Sequence, residues 1–159
     1  MTDGPANASE TFLTLLSAHA GMLDRFLQHQ EALLAQDFGR ALERLLETRR
    51  EFEQHVRAEE ELFPRLFADN EVQGTPLDLF TGEHKHLREL LTAFESATRR
   101  LDRADPAVMR RLIELIEEEA LWKSFFLHHD ERERNLLYPA FDRGTADAGR
   151  QELLSRFHA

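Results

Sequence analysis

The chain has 159 residues and a formal net charge of −10 at pH 7, which argues against nucleic acid or an anionic membrane surface as a partner. It contains no cysteine, which excludes disulfides, thiolate metal sites and cysteine nucleophiles. Without thiolates, imidazole and carboxylate are the side-chain groups that could hold a metal ion, and the chain has eight histidines.

The length fits one domain that spans residues 1–159. No basic start is followed by an apolar run of the secretory kind, and the longest apolar runs are too short to cross a membrane. We therefore expect a cytoplasmic protein.

The first predicted helix begins at a capping-box pattern, residues 7–10 (NASE), and carries apolar side chains at helical spacing as far as Leu34. His19 lies on this apolar stripe. His29 lies well round the helix, beside Arg25, and we expect it at the surface.

The second predicted helix begins at Asp37, whose side chain can accept a hydrogen bond from the first turn. His55 and Glu59 lie on its apolar stripe, and residues four apart share one face of a helix. Glu60 points away from that face. We therefore expect His55 and Glu59 to enter the core together.

The third and fourth predicted helices each have a proline in the first turn, directly after Thr75 and Asp105. The third carries His84 on its apolar face and His86 roughly opposite. The apolar stripe of the fourth helix ends at Leu137 and includes Glu119, Trp122, His129 and Glu133.

Residues 142–149 have the composition of a turn, and a short last helix follows over residues 151–157. No segment alternates apolar and polar residues with period two, so no strand is predicted. The pattern predicts an all-α, up-down-up-down four-helix bundle with a short C-terminal helix. Its core is expected over about residues 9–141, and residues 142–159 form the tail.

One sequence pattern occurs twice, as HVRAEEELFP starting at His55 and as HDERERNLLYP starting at His129. Each copy places a glutamate four residues after its histidine, at Glu59 and at Glu133. A His and a Glu one turn apart can bind one metal ion, or two adjacent ions, from the same side. The second copy is one residue longer before its proline, so the repeat is approximate.

Six polar side chains lie on the apolar stripes of the four helices. They are four imidazoles and two carboxylates: His19, His55, Glu59, His84, His129 and Glu133. Burying two carboxylates without partners costs about several kcal/mol each, and no Lys or Arg shares these stripes. Metal ions would supply the missing positive charge, so these six are the candidate metal ligands.

Some neighbouring residues have competing interpretations. His128 would replace its neighbour His129 after a small helix rotation, although the flanking apolar residues favour His129; we assign His128, His86 and His158 to the surface. Glu119, two to three turns from His129, is interpreted as a group beside the ligands or as a partly solvated one. An aromatic cluster is assigned to the core, with a dry pocket for a small apolar gas as the alternative: Phe52, Trp122, Phe125, Phe126 and Tyr138.

These motifs resemble the hemerythrin family, in its bacterial, HHE cation-binding branch. The resemblance is carried by SAHAGML around His19, by GEHKHLREL around His84 and by the two repeated segments, and it covers roughly residues 9–141. It implies a four-helix bundle that holds two non-haem irons joined by an oxo or hydroxo bridge. The resemblance implies Glu59 and Glu133 as bridging carboxylates, with His19 and His55 on one iron and His84 and His129 on the other.

The chain departs from the oxygen-carrying hemerythrins at two positions. Their fifth histidine, one turn after the counterpart of His84, is Arg88 here, and they have an aspartate five residues after the histidine of the last helix, where Glu133 follows His129 by four. Counted from His128, Glu133 is five residues on. A ligand set of four His and two Glu resembles that of the iron–sulfur-repair and nitric-oxide-linked members more than that of the oxygen carriers.

The sequence and the resemblance together predict a di-iron protein that binds a small gas or a peroxide (O₂, NO or peroxide) as a carrier, sensor or stress-response protein. Manganese and zinc are less favoured than iron. One alternative is an enzyme that turns over at the same site, as a peroxidase, oxidase or nitric-oxide or iron–sulfur-repair centre; another is a metal-free helical interaction module. A ferritin-like site needs the Glu-x-x-His spacing twice, and it occurs once, at Glu83 and His86.

Overall fold

A computed structural model describes residues 10–158. Four long α-helices, α1 to α4, are Leu16–Leu34, Phe38–Leu66, Leu77–Arg99 and Val108–Arg132. A 3₁₀ turn, Phe12–Leu15, precedes α1, and a π-helical turn, Glu133–Leu137, extends α4. Two short helices follow, α5 (Tyr138–Gly144) and α6 (Asp147–Ser155).

The long helices pack in sequence order, and α4 returns to pack against α1. Short connections between consecutive helices make neighbours antiparallel, which confirms the predicted all-α bundle. No helix within residues 10–158 is long and apolar enough to cross a membrane.

The helix starts are partly as predicted. The Asp37 side chain caps α2 by accepting a hydrogen bond from the Arg40 backbone N–H at 3.1 Å. The predictions for α3 and α4 were early, because α3 begins at Leu77 and α4 at Val108. Most of the capping-box pattern at residues 7–10 lies outside the described residues, and the first helical turn in the structure begins at Phe12.

Two predictions of irregular structure were wrong. A two-residue antiparallel hairpin, Glu71–Val72 with Thr75–Pro76, occupies the loop before α3, and Gly74 takes the positive φ of 78° that its tight turn requires. The predicted turn over residues 142–149 is mostly helical. Such short elements leave too few residues for either periodicity to show.

The apolar core forms two clusters, and the candidate ligands lie between them. One cluster includes Met22 on α1, Phe52 on α2 and Leu87 on α3; the other includes Leu15 before α1 and Leu62 on α2. Along each long helix and the turn that adjoins it, the candidate ligands fall between a residue of one cluster and a residue of the other. The bundle therefore encloses a polar layer between two apolar ones.

The predicted aromatic cluster is buried except at one position. Trp122 stacks on Phe126, with ring centroids 5.0 Å apart, and Phe52 and Tyr138 are also buried. Phe125 is 50% exposed, so its assignment to the core was wrong. It follows Trp122 by three residues but lies on the outer side of α4, against the exposed ring of His86.

Candidate metal centre

The structure brings all six candidate ligands into one buried layer, which we call the ligand layer. None is more than 4% exposed, and the carboxylates and one imidazole are fully buried: Glu59, Glu133 and His84. The one-turn spacing of the repeated pattern places each His/Glu pair on the inner side of its helix, because i and i+4 share a face. α1 and α3 supply one further imidazole each, from His19 and His84.

The six side chains form two groups of four donors whose atoms lie within 4.8 Å of one another. The His19 group contains His19, His55, Glu59 and Glu133, and the His84 group contains Glu59, His84, His129 and Glu133. Both carboxylates therefore belong to both groups.

Each carboxylate directs its two oxygens to different groups. Glu59 Oε1 lies 2.8 Å from His55 Nε2, and Oε2 lies 3.2 Å from His84 Nε2. Glu133 Oε2 lies 3.3 Å from His19 Nε2, and Oε1 lies 2.7 Å from His129 Nε2. This is the arrangement that two bridging carboxylates between neighbouring cations require.

Three buried donor atoms of the His84 group have no hydrogen-bond partner among the described residues: Glu59 Oε2, Glu133 Oε1 and His84 Nε2. Neither the 2.7 Å contact of Glu133 Oε1 with His129 Nε2 nor the contacts among these three atoms have the geometry of a hydrogen bond, so the atoms converge on a shared point. Leaving such atoms unsatisfied costs about 1–3 kcal/mol each. A cation at that point would satisfy them, so the donor set fits a metal ion.

The pKa shifts of the two carboxylates in the metal-free protein are those expected in a site built for positive charge. Burial alone raises a carboxyl pKa, but the imidazoles of His129, His84 and His19 outweigh it and hold the pKa of Glu133 well below its ordinary value. The pKa of Glu59 is also lowered, by His55 and His84 against the effects of burial and of Glu133.

The imidazoles shift in the opposite direction. Burial lowers the pKa of His129, but Glu133 and Glu83 outweigh it and raise that pKa to about 9. The pKa of His84 is raised well above its ordinary value by Glu133, Glu59 and Glu60 in the same way. Without metal, protonated imidazoles therefore supply the positive charge that the carboxylates require.

The comparisons with known proteins identify the family. The family model of the hemerythrin HHE cation-binding domain matches residues 12–118 and 75–159. The chain belongs to this family. The family implies binding of a metal cation, and the two His/Glu groups fit such a site. No curated protein and no solved structure matches the chain significantly.

Three imidazoles of this hemerythrin domain are oriented by carboxylates that sequence reasoning missed. Asp130 lies 2.5 Å from His19 Nδ1. Glu60 lies 2.9 Å from His84 Nδ1, which corrects the expectation that Glu60 points away from the core, and Glu83 lies 2.8 Å from His129 Nδ1. A carboxylate at Nδ1 fixes the ring orientation and leaves Nε2 to face a metal.

These three carboxylates share a sequence signal. Each is next in the chain to a candidate ligand on its own helix, yet it contacts the histidine of a neighbouring helix. Asp130, for example, follows His129 on α4 and contacts His19 on α1. An acidic residue directly beside three of the six candidate ligands, Glu59, His84 and His129, was the pattern to look for.

Tyr138 was predicted as an aromatic core residue, but its hydroxyl lies within the His19 group. The oxygen is 2.7 Å from Glu59 Oε1 and 2.9 Å from His55 Nε2. Burial and the nearby carboxylates Glu133 and Glu59 raise the pKa of Tyr138 well above its ordinary value.

The π-helical turn explains why the repeat is approximate. A π turn accommodates one residue more than an α turn, and the second copy has one residue more between its glutamate and its proline. Glu133 begins this turn and Tyr138 follows it directly, so both side chains can face the same site. π turns inside helices are frequent at functional sites.

The remaining histidines divide differently from the prediction. His86, His128 and His158 are exposed, so His129 rather than His128 lies in the ligand layer. His29 is fully buried, and its assignment to the surface was wrong. Its neighbours at helical spacing, Phe26 and Leu33, are also buried and would have indicated this.

His29 belongs to a second polar cluster, the His29 cluster, defined by His29, Gln30, Glu119 and Lys123. His29 Nδ1 donates to the Ala41 carbonyl, and Nε2 contacts Glu119 Oε1, both at 2.7 Å. Gln30 donates to Glu119 Oε2 at 3.0 Å and accepts from Lys123 at 2.8 Å. Glu119 is therefore neither partly solvated nor beside the candidate ligands.

Two further sequence interpretations concern the surroundings of the site. Arg88, at the position of the fifth histidine of oxygen carriers, contacts Glu53 at 2.7 Å. Glu83 contacts His129 while His86 is exposed, so the single Glu-x-x-His spacing forms no shared ferritin-like site.

Proposed function

We propose that this hemerythrin domain is a non-haem di-iron protein that binds O₂, NO or peroxide in a carrier, sensor or stress-response role. One observation carries the proposal: two groups of four buried donors share both of their carboxylates. When bound, a pair of iron ions supplies an open coordination position and redox chemistry for such small molecules.

The roles of the ligands follow from the contacts. His19 and His55 would hold one ion, and His84 and His129 the other. Glu59 and Glu133 would bridge, since each has one oxygen in each group.

The donor chemistry supports iron without requiring it. All six donors are imidazole nitrogens or carboxylate oxygens, which suit iron, manganese and zinc. Membership of the hemerythrin family favours iron over the other two. The carboxylates at Nδ1 of His19, His84 and His129 would raise the basicity of these ligands and support a ferric state.

The walls of the site favour a small molecule. The Phe126 ring packs against His19 with centroids 5.4 Å apart, and the Phe157 ring packs against His55 at 5.2 Å. A surface cleft between α1 and α2 opens beside His55 and Phe157, and its outer walls include Arg25 and Glu51. Apolar walls around buried ligands admit diatomic molecules and peroxide more readily than charged metabolites.

The proposal is tested by metal analysis with an optical spectrum, before and after addition of NO or peroxide. Two irons per chain, an oxo-bridged ferric spectrum and a spectral change on addition support it. The matched control is His29→Gln, which changes a buried histidine outside the layer and should leave the metal content unchanged. Steady-state turnover of peroxide or NO would indicate an enzyme rather than a carrier or sensor.

One result would contradict the proposal. If the purified protein takes up no metal from an iron(II) solution and keeps its helicity and melting temperature, a metal-free interaction module is the better description.

A further inference from the structure

The Tyr138 hydroxyl contacts every donor of the His19 group, and not only the two nearest. Its oxygen lies 3.1 Å from His19 Nε2, 2.9 Å from His55 Nε2, 2.7 Å from Glu59 Oε1 and 3.0 Å from Glu133 Oε2. A phenol can donate one hydrogen bond and accept two. Hydrogen bonding alone therefore does not account for four contacts of nearly equal length.

These distances are those expected between ligands of one ion. Donors at right angles around a cation with bonds of about 2.1 Å lie about 3 Å apart. The other distances within the group agree: His19 Nε2 and His55 Nε2 are 2.8 Å apart, and so are His55 Nε2 and Glu59 Oε1. The hydroxyl oxygen occupies a fifth position adjacent to all four donors.

The position is built into the fold. Tyr138 is fully buried and directly follows the π-helical turn that Glu133 begins, so one local feature positions both side chains. In the first copy of the repeat, the residue before the proline is Phe63, which carries no oxygen and packs against Phe80. The two copies therefore give different surroundings to the two groups.

We propose that Tyr138 is a fifth protein ligand, which binds the ion of the His19 group through its phenol oxygen. The inference rests on the proposed function, since it needs a metal in that group. On binding, the O–H bond breaks and the proton passes to solvent, as for other ligands that bind deprotonated. The His84 group, which has four protein donors, would then hold the ion with the larger number of free coordination positions.

The experiment uses ferric iron as the probe. Iron(III) bound to phenolate has a visible charge-transfer band and resonance-enhanced ring vibrations, which imidazole and carboxylate ligands do not give. The chain has a single tyrosine, so such vibrations can come only from Tyr138. The full-length protein is loaded with iron(II), oxidised in air and desalted, and its iron content and resonance Raman spectrum are recorded.

The wild-type protein should show the phenolate ring vibrations, and Tyr138→Phe should retain iron and lose them. The matched control, Phe126→Leu, removes a ring that packs against His19 but no oxygen, and should keep them. Growth on ring-deuterated tyrosine should shift the vibrations of the wild-type protein, which tests the assignment even if Tyr138→Phe fails to fold. Iron binding without these vibrations overturns the inference and leaves the proposed function standing, whereas failure to bind iron overturns both.

Discussion

The bundle buries two polar clusters that differ in how their donors are satisfied. In the His29 cluster, both oxygens of Glu119 have a partner: Oε1 contacts His29 Nε2, and Oε2 accepts a hydrogen bond from Gln30. Lys123 donates a hydrogen bond to Gln30. In the ligand layer, both carboxylates leave one oxygen without a hydrogen bond among the described residues. Both clusters contain histidine and glutamate on helix faces, so residue types alone do not distinguish them.

The difference teaches where to expect a cofactor. A buried carboxylate is tolerated when donors point at each of its oxygens, and the His29 cluster provides such donors without any ion. The ligand layer instead directs imidazoles and carboxylates from four helices toward two common points. The unsatisfied atoms, rather than the buried charges, mark the layer as a metal site.

The largest expected effect is that of Glu133→Ala. Glu133 contributes one oxygen to each group, so in the proposed site its removal would take a ligand from both ions. We expect the purified variant to lose bound metal almost completely, measured by metal analysis of the desalted protein. Undiminished metal content would contradict the assignment of Glu133 as a bridging ligand.

Glu119→Ala is the matched change in the His29 cluster. It leaves the buried His29 Nε2 and the Gln30 amide without their acceptor, which should lower the free energy of unfolding by about 4 kcal/mol. Urea unfolding measures this loss, and metal analysis of the folded variant should show the wild-type content. Loss of metal at full stability would instead connect the two clusters functionally.

The sequence revealed more of the ligand layer than of the His29 cluster, for physical reasons. His55 and Glu59 are four residues apart on one helix, so helical spacing alone places them together. The partners of His29 come from elsewhere in the chain, including the Ala41 carbonyl on α2, and no spacing within α1 encodes that contact.

Helical spacing alone does not place the Tyr138 hydroxyl in the layer, for a similar reason. Its side chain reaches the layer only because residues 133–137 adopt a π turn, and standard helical spacing does not predict that turn. The extra residue in the second copy of the repeat was the visible sign of it. A repeat that differs by one residue beside a candidate ligand is thus a reason to consider a π turn.

A pH series on metal-free protein should sharpen the contrast further. The folded pKa of His129, about 9, lies above its unfolded value near 6.5, so its charge stabilises the fold below pH 6.5 and this stabilisation is lost as pH rises through 9. The shift corresponds to about 3 kcal/mol. Urea unfolding between pH 6.5 and 9 in the presence of a chelator measures the decline.

Two controls belong to that series. His129→Gln should flatten the pH dependence over the same range, because it removes the titrating group. Iron-loaded protein should also show a flatter profile, because a bound cation replaces the imidazolium charge. A wild-type decline that persists unchanged in His129→Gln would show that other groups cause it.

The smallest expected effect concerns Asp130, which contacts Nδ1 of His19 and belongs to neither donor group. Asp130→Asn keeps the size of the side chain and removes the charge that holds the ring orientation, and loss of such a partner lowers metal affinity about 10- to 100-fold. Competition with a chelator of known affinity measures this loss of affinity.

Asp24→Asn, a change at an exposed residue of the same helix as His19, is the control and should leave the affinity unchanged. Since the two substitutions remove the same charge, a difference between them reports the hydrogen bond to the ligand rather than net charge, and equal effects would show that Asp130 acts only through long-range electrostatics.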